Sequence, residues 1–191
     1  MSVEQPRYAV LRSSAKREVR RYEARTVAET AVEGSQEKAL SEAFSILAGY
    51  IFGGNVPAAR IAMTAPVTQS REAQRIAMTA PVLQHKMSSG EAPKWVVQFT
   101  MPSRYALGDL PQPTDKRVRI REVPATTMAA IRFSGLARAE TLAAKERELR
   151  EFMADQGLNT LGAAVYAFYN APFTLPPLRR NEVLIEVAPT E

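Results

Sequence analysis

The sequence predicts an α+β fold in which an antiparallel sheet curls into a distorted barrel with two helices outside it. Three observations carry this reading. One segment recurs without a gap in the second half of the chain. Two stretches have helical apolar spacing. Many short segments between them are β-branched or alternate apolar with polar residues.

The recurrence pairs Val19–Ala28 with Ile120–Ala129 at a constant offset. Arg, Ala, Thr and Ala coincide in the two segments, and three further positions match in character. The same offset pairs Gly34 with Gly135, each standing between a strand-like stretch and a helical pattern. Similar segments in the same order of elements point to two copies of a strand-strand-helix-strand unit.

The first helix is expected over Gln36–Phe52, where Leu40, Ala43, Phe44, Leu47 and Ile51 form one apolar stripe. Ser35 stands at its N-cap and Gly53-Gly54 at its stop. The second is expected over Ala139–Gln156, with Leu142, Leu149, Phe152 and Met153 inward and Gly157 as stop. Strands are expected at Tyr8–Leu11, Glu18–Glu29, Arg60–Gln69, Arg75–Gln84, Lys94–Met101, Arg117–Val123, Thr126–Ser134, Ala163–Tyr169 and Asn181–Val187. The loop Pro102–Lys116, with three prolines, separates the halves.

Composition removes much chemistry. The 191 residues include no cysteine and one histidine, His85. Disulfides, thiolate ligation and cysteine nucleophiles are excluded, as are multi-histidine metal sites. An enzyme built on this chain would rely on carboxylates, for which Glu23, Glu122 and Glu182 are unranked candidates. The net charge is +5 but spread over the chain, with short clusters at Lys16-Arg17, Arg20-Arg21 and Arg179-Arg180. This reads as a basic surface or a partner for an anionic small molecule, not as a nucleic-acid face. No apolar run spans a bilayer and the first residues lack a signal-peptide pattern, so the expectation is a cytoplasmic protein without a membrane partner.

A second repeat is literal. Arg60-Ile-Ala-Met-Thr-Ala-Pro-Val67 returns as Arg75-Ile-Ala-Met-Thr-Ala-Pro-Val82. Alternation puts the isoleucines and methionines on one face, so the copies are expected as adjacent antiparallel strands. Met63 and Met78 are either core filler or part of a ligand wall. Pro66 and Pro81 place an edge, bulge or strand end in each copy.

This Met-Thr-x-Pro-Val motif resembles the SOUL/heme-binding protein family. Tyr50-Ile51 with Gly53-Gly54-Asn55, Tyr169-Asn-Ala-Pro172 and Arg179-Arg-Asn-Glu-Val183 are similar to further motifs of that family, in the same order. The resemblance implies a distorted antiparallel eight-stranded barrel with two flanking helices and pseudo-twofold symmetry. It implies a single domain over residues 1–191, half one about 7–101 and half two about 117–188. It also implies non-catalytic binding of heme or a related flat, apolar tetrapyrrole in a shallow cleft walled by the first helix. Carried over by position, that wall is Phe44, Leu47, Ala48 and Ile51. Vertebrate members have an arginine where Ser41 stands, and methionines where Phe44 and Ala48 stand. Their lysine before the closing motif has no counterpart in Phe173–Leu178. Arg60, Arg75 and Arg179 are the substitute cations for the propionates. His85 lies beside Lys86 and a Ser-Ser-Gly turn, and reads as a solvated loop residue rather than an axial ligand. The competing reading is a general effector-binding domain for another small molecule.

Overall fold

The computed structural model describes residues 3–56, 74–87, 93–171 and 173–189. In chain order the elements are β1 (Tyr8–Ser14), β2 (Arg17–Tyr22), β3 (Arg25–Glu33), α1 (Gln36–Ile51), β4 (Asn55–Val56), β5 (Val82–Met87), β6 (Lys94–Thr100), β7 (Gln112–Pro113), β8 (Arg119–Val123), β9 (Thr126–Phe133), α2 (Ala139–Asp155), β10 (Val165–Phe168) and β11 (Asn181–Glu186). Among the described residues, nine strands form one antiparallel sheet in the order β1-β2-β9-β11-β10-β5-β6-β3-β8, while β4 and β7 pair separately. The sheet is a curled half-barrel with edges at β1 and β8. The symmetric eight strands expected from the sequence are present, and β1 adds a ninth beside β2.

The long repeat explains this order. Each copy gives a strand pair, a left-handed glycine and a helix: β2-β3-Gly34-α1 and β8-β9-Gly135-α2, with φ of 124° and 99° at the glycines. The first strand of each copy pairs with the second strand of the other. β2 lies on β9 with Tyr22 opposite Thr126, and β8 lies on β3 with Val123 opposite Arg25. The repeat superimposes Tyr22 on Val123 and Arg25 on Thr126, so these two pairings are images of each other. The pseudo-twofold axis passes between the central strands β10 and β5, where Val165 faces His85.

Both helices cover the same face of the sheet. α1 buries Ala39, Ala43, Ile46, Leu47, Tyr50 and Ile51 with Ala28 and Val32 of β3 and Trp95, Val97 and Phe99 of β6. α2 buries Leu142, Leu149, Phe152 and Met153 with Val19, Ala129, Ile131, Val183 and Ile185. Each of the Val, Leu, Ile, Phe and Met side chains among them contributes roughly 1.5–3 kcal/mol on burial. The alternate residues line the concave face, where Tyr22, Leu83, Met128, Ala130, Ala167 and Leu184 form a third cluster.

Three expectations are corrected. The segment Glu18–Glu29 is not one strand but β2 and β3, broken at Glu23-Ala24. Ser35 has the extended backbone of an N-cap, but its side chain makes no cap hydrogen bond. The second motif copy is not a strand before Val82, because its backbone donors are used elsewhere. Ile76 N–H donates to the Ile51 carbonyl at 2.8 Å, and Ala80 N–H to the Glu4 carbonyl at 2.9 Å. The Thr79 hydroxyl donates to the Thr100 carbonyl, and Pro81 has no donor. The first copy, with Arg60 and Met63, lies outside the described residues, as does any pairing between the copies.

The turn after α1 is built by close approach. Gly54 N–H donates to the Gly49 carbonyl at 2.7 Å, and a Cβ on Gly54 would lie 2.8 Å from that same oxygen. Asn55 then binds the Tyr50 and Gln74 carbonyls through Nδ2, each at 2.7 Å, and receives Gln74 N–H at 2.9 Å. This ties the second motif copy to the end of α1. Gly54→Ala should destabilise the fold by about 1–3 kcal/mol, because backbone must move. Gly49→Ala, whose Cβ meets nothing within 4 Å, should be neutral or gain up to about 1 kcal/mol from helix propensity. Urea denaturation of the two variants checks the contrast.

On the concave face, Glu182 is fully buried at 0% exposure. Arg20 donates to both of its oxygens, at 2.7 and 3.1 Å. Arg180 adds two bonds at 2.8 and 3.0 Å, and the Tyr169 hydroxyl another at 2.8 Å. Burial pushes the Glu182 carboxyl pKa up, but Arg20, Arg180 and Tyr169 together outweigh it and hold the group below its ordinary value of 4.5. A depressed folded-state pKa gives stability that is present above 4.5 and lost as pH falls through the folded value. Glu182→Gln leaves the buried Arg20 with only the partly exposed Glu18, 2.6 Å from its Nε, as counter-charge and should cost about 3 kcal/mol at neutral pH. The difference from the parent should shrink on acidification below 4.5. Denaturant titrations at pH 7 and pH 4 read both effects.

Candidate functional site

An exposed apolar surface lies on the helix-covered face. Along one flank of α1, Leu40, Phe44 and Ala48 follow at four-residue steps and are half-buried. Phe52 continues the row and is 59% exposed. Phe44 is held from below by Phe99 of β6, edge to face with ring centroids 5.4 Å apart. Leu47 and Ile51, expected on the same wall, are 0% and 1% exposed. They belong to the core beneath the helix, because their 3.6-residue phase points them at β3 and β6. Met78 is 37% exposed. It lies two residues beyond Ile76, whose backbone is tied to the end of α1. Arg75 is exposed on that segment.

The concave face carries a different kind of cleft, of about 230 Å³. Its apolar lining includes Tyr22, Leu83, Met128, Val165 and Leu184, and its polar lining Arg25, His85, Gln98, Arg121 and Glu186. Arg121 Nε donates to Glu29 at 3.0 Å and Gln98 Nε2 donates to the same carboxylate oxygen at 2.8 Å. Arg25 lies over the Tyr22 ring at 5.4 Å. A second depression of about 500 Å³ adjoins it, and Pro6 and Arg25 line both.

His85 corrects the solvated-loop expectation. It sits in β5, partly buried, opposite Val96 and Val165. Its neighbour Gln84 reaches α1, donating to the Gln36 carbonyl at 2.9 Å, so strand alternation turns His85 to the concave face. Burial pushes its pKa below the ordinary 6.5, Arg121 adds to this, and Glu29 opposes it. The imidazole is therefore neutral at pH 7.

The remaining candidates are scattered. Arg179 lies with Ala15, Lys16, Arg132 and Leu178 around a depression on the α2 half, and its Nε donates to the Thr174 carbonyl at 2.7 Å. Glu23 and Glu122 are exposed on the 500 Å³ depression, and Glu182 is bound by two arginines elsewhere. Among the described residues, no three acidic or histidine side chains gather as a metal site, and no helix is long and apolar enough to cross a membrane. Sequence reasoning missed Arg25, Thr126 and Gln98. The available signal was parity: Arg25 and Thr126 hold the same position in the two repeat copies.

Comparison with known proteins agrees with the motifs and the duplication. No curated protein sequence matches the chain. Among solved structures, the EcmrR C-terminal domain is similar with a TM-score of 0.64 and 8% identity, over 91% of this chain and 98% of that one. A hydrolase from Listeria innocua is similar with a TM-score of 0.58 and 12% identity, over 93% and 94% of the two chains. At these identities the likeness is one of fold. The family model described as SOUL heme-binding protein matches residues 3–74 and 68–186. With the two repeat copies, the motif before β5 and the swapped strand pairs, this places the chain in the SOUL heme-binding protein family.

Proposed function

We propose that the chain binds heme or a related tetrapyrrole on the outer flank of α1, in a non-catalytic role of transport, buffering or sensing. The observation that carries the reading is the row Leu40, Phe44, Ala48 and Phe52 on a member of a heme-binding family. A porphyrin is flat and apolar, with two carboxylates at one edge. A shallow helix flank with half-buried aliphatic and aromatic side chains suits its face. Phe44, braced by Phe99, is a rigid contact, while Ala48 keeps the flank low enough for a ring to lie flat. Met78 and the exposed Arg75 stand on the segment tied to the end of α1, and Arg75 suits a propionate.

Bound heme brings its own redox-active iron. The chain contributes the apolar seat and the rim charge. His85 takes no part in this seat, since it faces the opposite side of the sheet. The seat thus recognises the ring rather than the metal.

Titration of the purified protein with haemin and with metal-free protoporphyrin tests this. The single tryptophan, Trp95, lies in the core beneath α1 and reports binding by quenching. Both ligands should saturate with similar affinity. Ala48→Glu and Phe44→Asp should each weaken binding by about tenfold or more, by setting a charge against the ring. His85→Ala should stay within a few-fold of the parent. Absence of saturable binding, or loss of haemin binding in His85→Ala alone with the fold intact, would refute the proposal.

A further inference from the structure

The concave cleft holds an unusual collection of unsatisfied groups. Five side-chain atoms among the described residues are sealed from solvent without a hydrogen-bond partner. Two are Nε and Nη1 of Arg25, and two more are the hydroxyls of Thr126 and Thr100. Arg25 and Thr126 line the 230 Å³ cleft, and Arg25 and Thr100 line the adjoining depression. Native interiors leave few such atoms unpaired, and a sealed donor on a charged group costs more than one on a neutral group. Three of the five belong to residues lining the cleft and a fourth to the depression beside it, so the feature is local rather than a general looseness of the fold.

The position is set by the duplication. Arg25 and Thr126 are equivalent residues of the two repeat copies, each opening the second strand of its copy. Tyr22 and Val123, also equivalent, close the preceding strands and line the same cleft. The cleft therefore straddles the join between the halves, and the two copies supply different chemistry to it: a cation from one, a hydroxyl from the other.

The other charges around the cleft leave Arg25 as the group that seeks an anion. Arg121 is engaged by Glu29, which also receives Gln98. His85 is neutral at pH 7 because burial lowers its pKa. Glu186 acts on Arg25 only through its field and makes no hydrogen bond to Nε or Nη1. Burial pulls the Arg25 pKa down, Tyr22 and Glu186 raise it, and Arg121 lowers it, with a net fall. This is the behaviour of a cation lacking a close counter-charge among the described residues. Beside it lie Tyr22, Leu83, Met128, Val165 and Leu184, which are apolar or aromatic.

We propose that this cleft is a binding site for a small organic carboxylate, with Arg25 and Thr126 holding the carboxylate and the apolar residues holding a compact hydrocarbon or aromatic body. Nε–H and Nη1–H of Arg25 are sealed as the side chain stands, and a turn of the guanidinium toward the cleft pairs Nη2–H with one of them, the geometry that takes a carboxylate in two parallel bonds. At about 230 Å³ the cleft falls below the roughly 300–1,000 Å³ of drug-sized sites, so it selects for a ligand far smaller than a tetrapyrrole. It lies on the face of the sheet opposite the α1 flank and does not depend on the function proposed above.

Benzoate serves as the probe and benzamide as its uncharged isostere, each titrated into 15N-labelled protein and followed by NMR. Benzoate should bind saturably and shift the Arg25 Nε–H signal together with the His85 signals. Benzamide should bind about tenfold more weakly or worse, as should benzoate to Arg25→Gln, because a charge-assisted pair is lost. Thr126→Val should weaken benzoate to a smaller degree. Ala48→Glu should leave benzoate affinity unchanged, and Arg25→Gln should leave protoporphyrin binding unchanged, which separates this site from the α1 flank. Arg25→Met supplies a readout that a structural arginine would not give: its denaturation midpoint should equal or exceed that of the parent. Absence of saturable benzoate binding, equal affinity for benzoate and benzamide, or a lowered midpoint in Arg25→Met overturns the proposal.

Discussion

The exchange of β2 and β8 between the repeat copies is the constraint on which the architecture rests. Neither copy can complete its own sheet, because its first strand lies on the partner copy's second strand. Folding must therefore bring residues about a hundred positions apart into register before either helix has a full surface to cover, which implies high contact order. The register is enforced by side-chain alternation. A one-residue slip of β2 on β9 would turn Val19 out of the α2 core and Arg20 into it. The Arg20–Glu182 pair, reaching across β9 from β2 to β11, adds an electrostatic lock on the same register.

From that exchange follows a division of labour between the two faces. The helices take one face and bury it almost wholly with apolar side chains. Among the described residues the other face has no helix, and it retains polar groups that must find partners there. The copies have solved this differently. Arg20 and Arg121 are equivalent by the repeat, yet Arg20 is buried against Glu182 with Tyr169 and Arg180 around it, while Arg121 is exposed and meets Glu29 from the neighbouring strand. One end of the concave face is thereby closed by a saturated network, and the other stays open around His85, Gln98 and Arg25.

Much of the fold was legible because it is written as periodicity and repetition. The helical stripes give α1 and α2 to within a residue at each end, and Gly34 and Gly135 mark equivalent turns at positive φ. What was not legible depends on partners distant in sequence. The second motif copy alternates like a strand, but its N–H groups answer to Ile51 and Glu4 rather than to a ladder. His85 looks like a loop residue beside Lys86 and Ser-Ser-Gly, yet β6 and β10 draw it into the sheet. Leu47 and Ile51 share the apolar stripe with Phe44, and only the docking of α1 decides that they go under the helix and Phe44 to its flank. Arg25 could not be singled out, because a strand arginine is ordinarily solvated and its isolation arises from the curl of the sheet.

β6 is the element on which the two surfaces meet. Its residues Val97 and Phe99 face α1, and Phe99 braces Phe44 from beneath. The residue between them, Gln98, faces the concave cleft and holds Glu29 together with Arg121. A strand paired on both sides, with β3 and β5, is held in place by backbone hydrogen bonds along its length. It transmits little motion from one face to the other, since a side chain can repack on its own face without shifting the ladder. The sheet thus acts as a rigid partition: ligand contacts on the α1 flank are set by helix docking, those in the concave cleft by the strand exchange, and substitutions confined to one face should behave additively with those on the other.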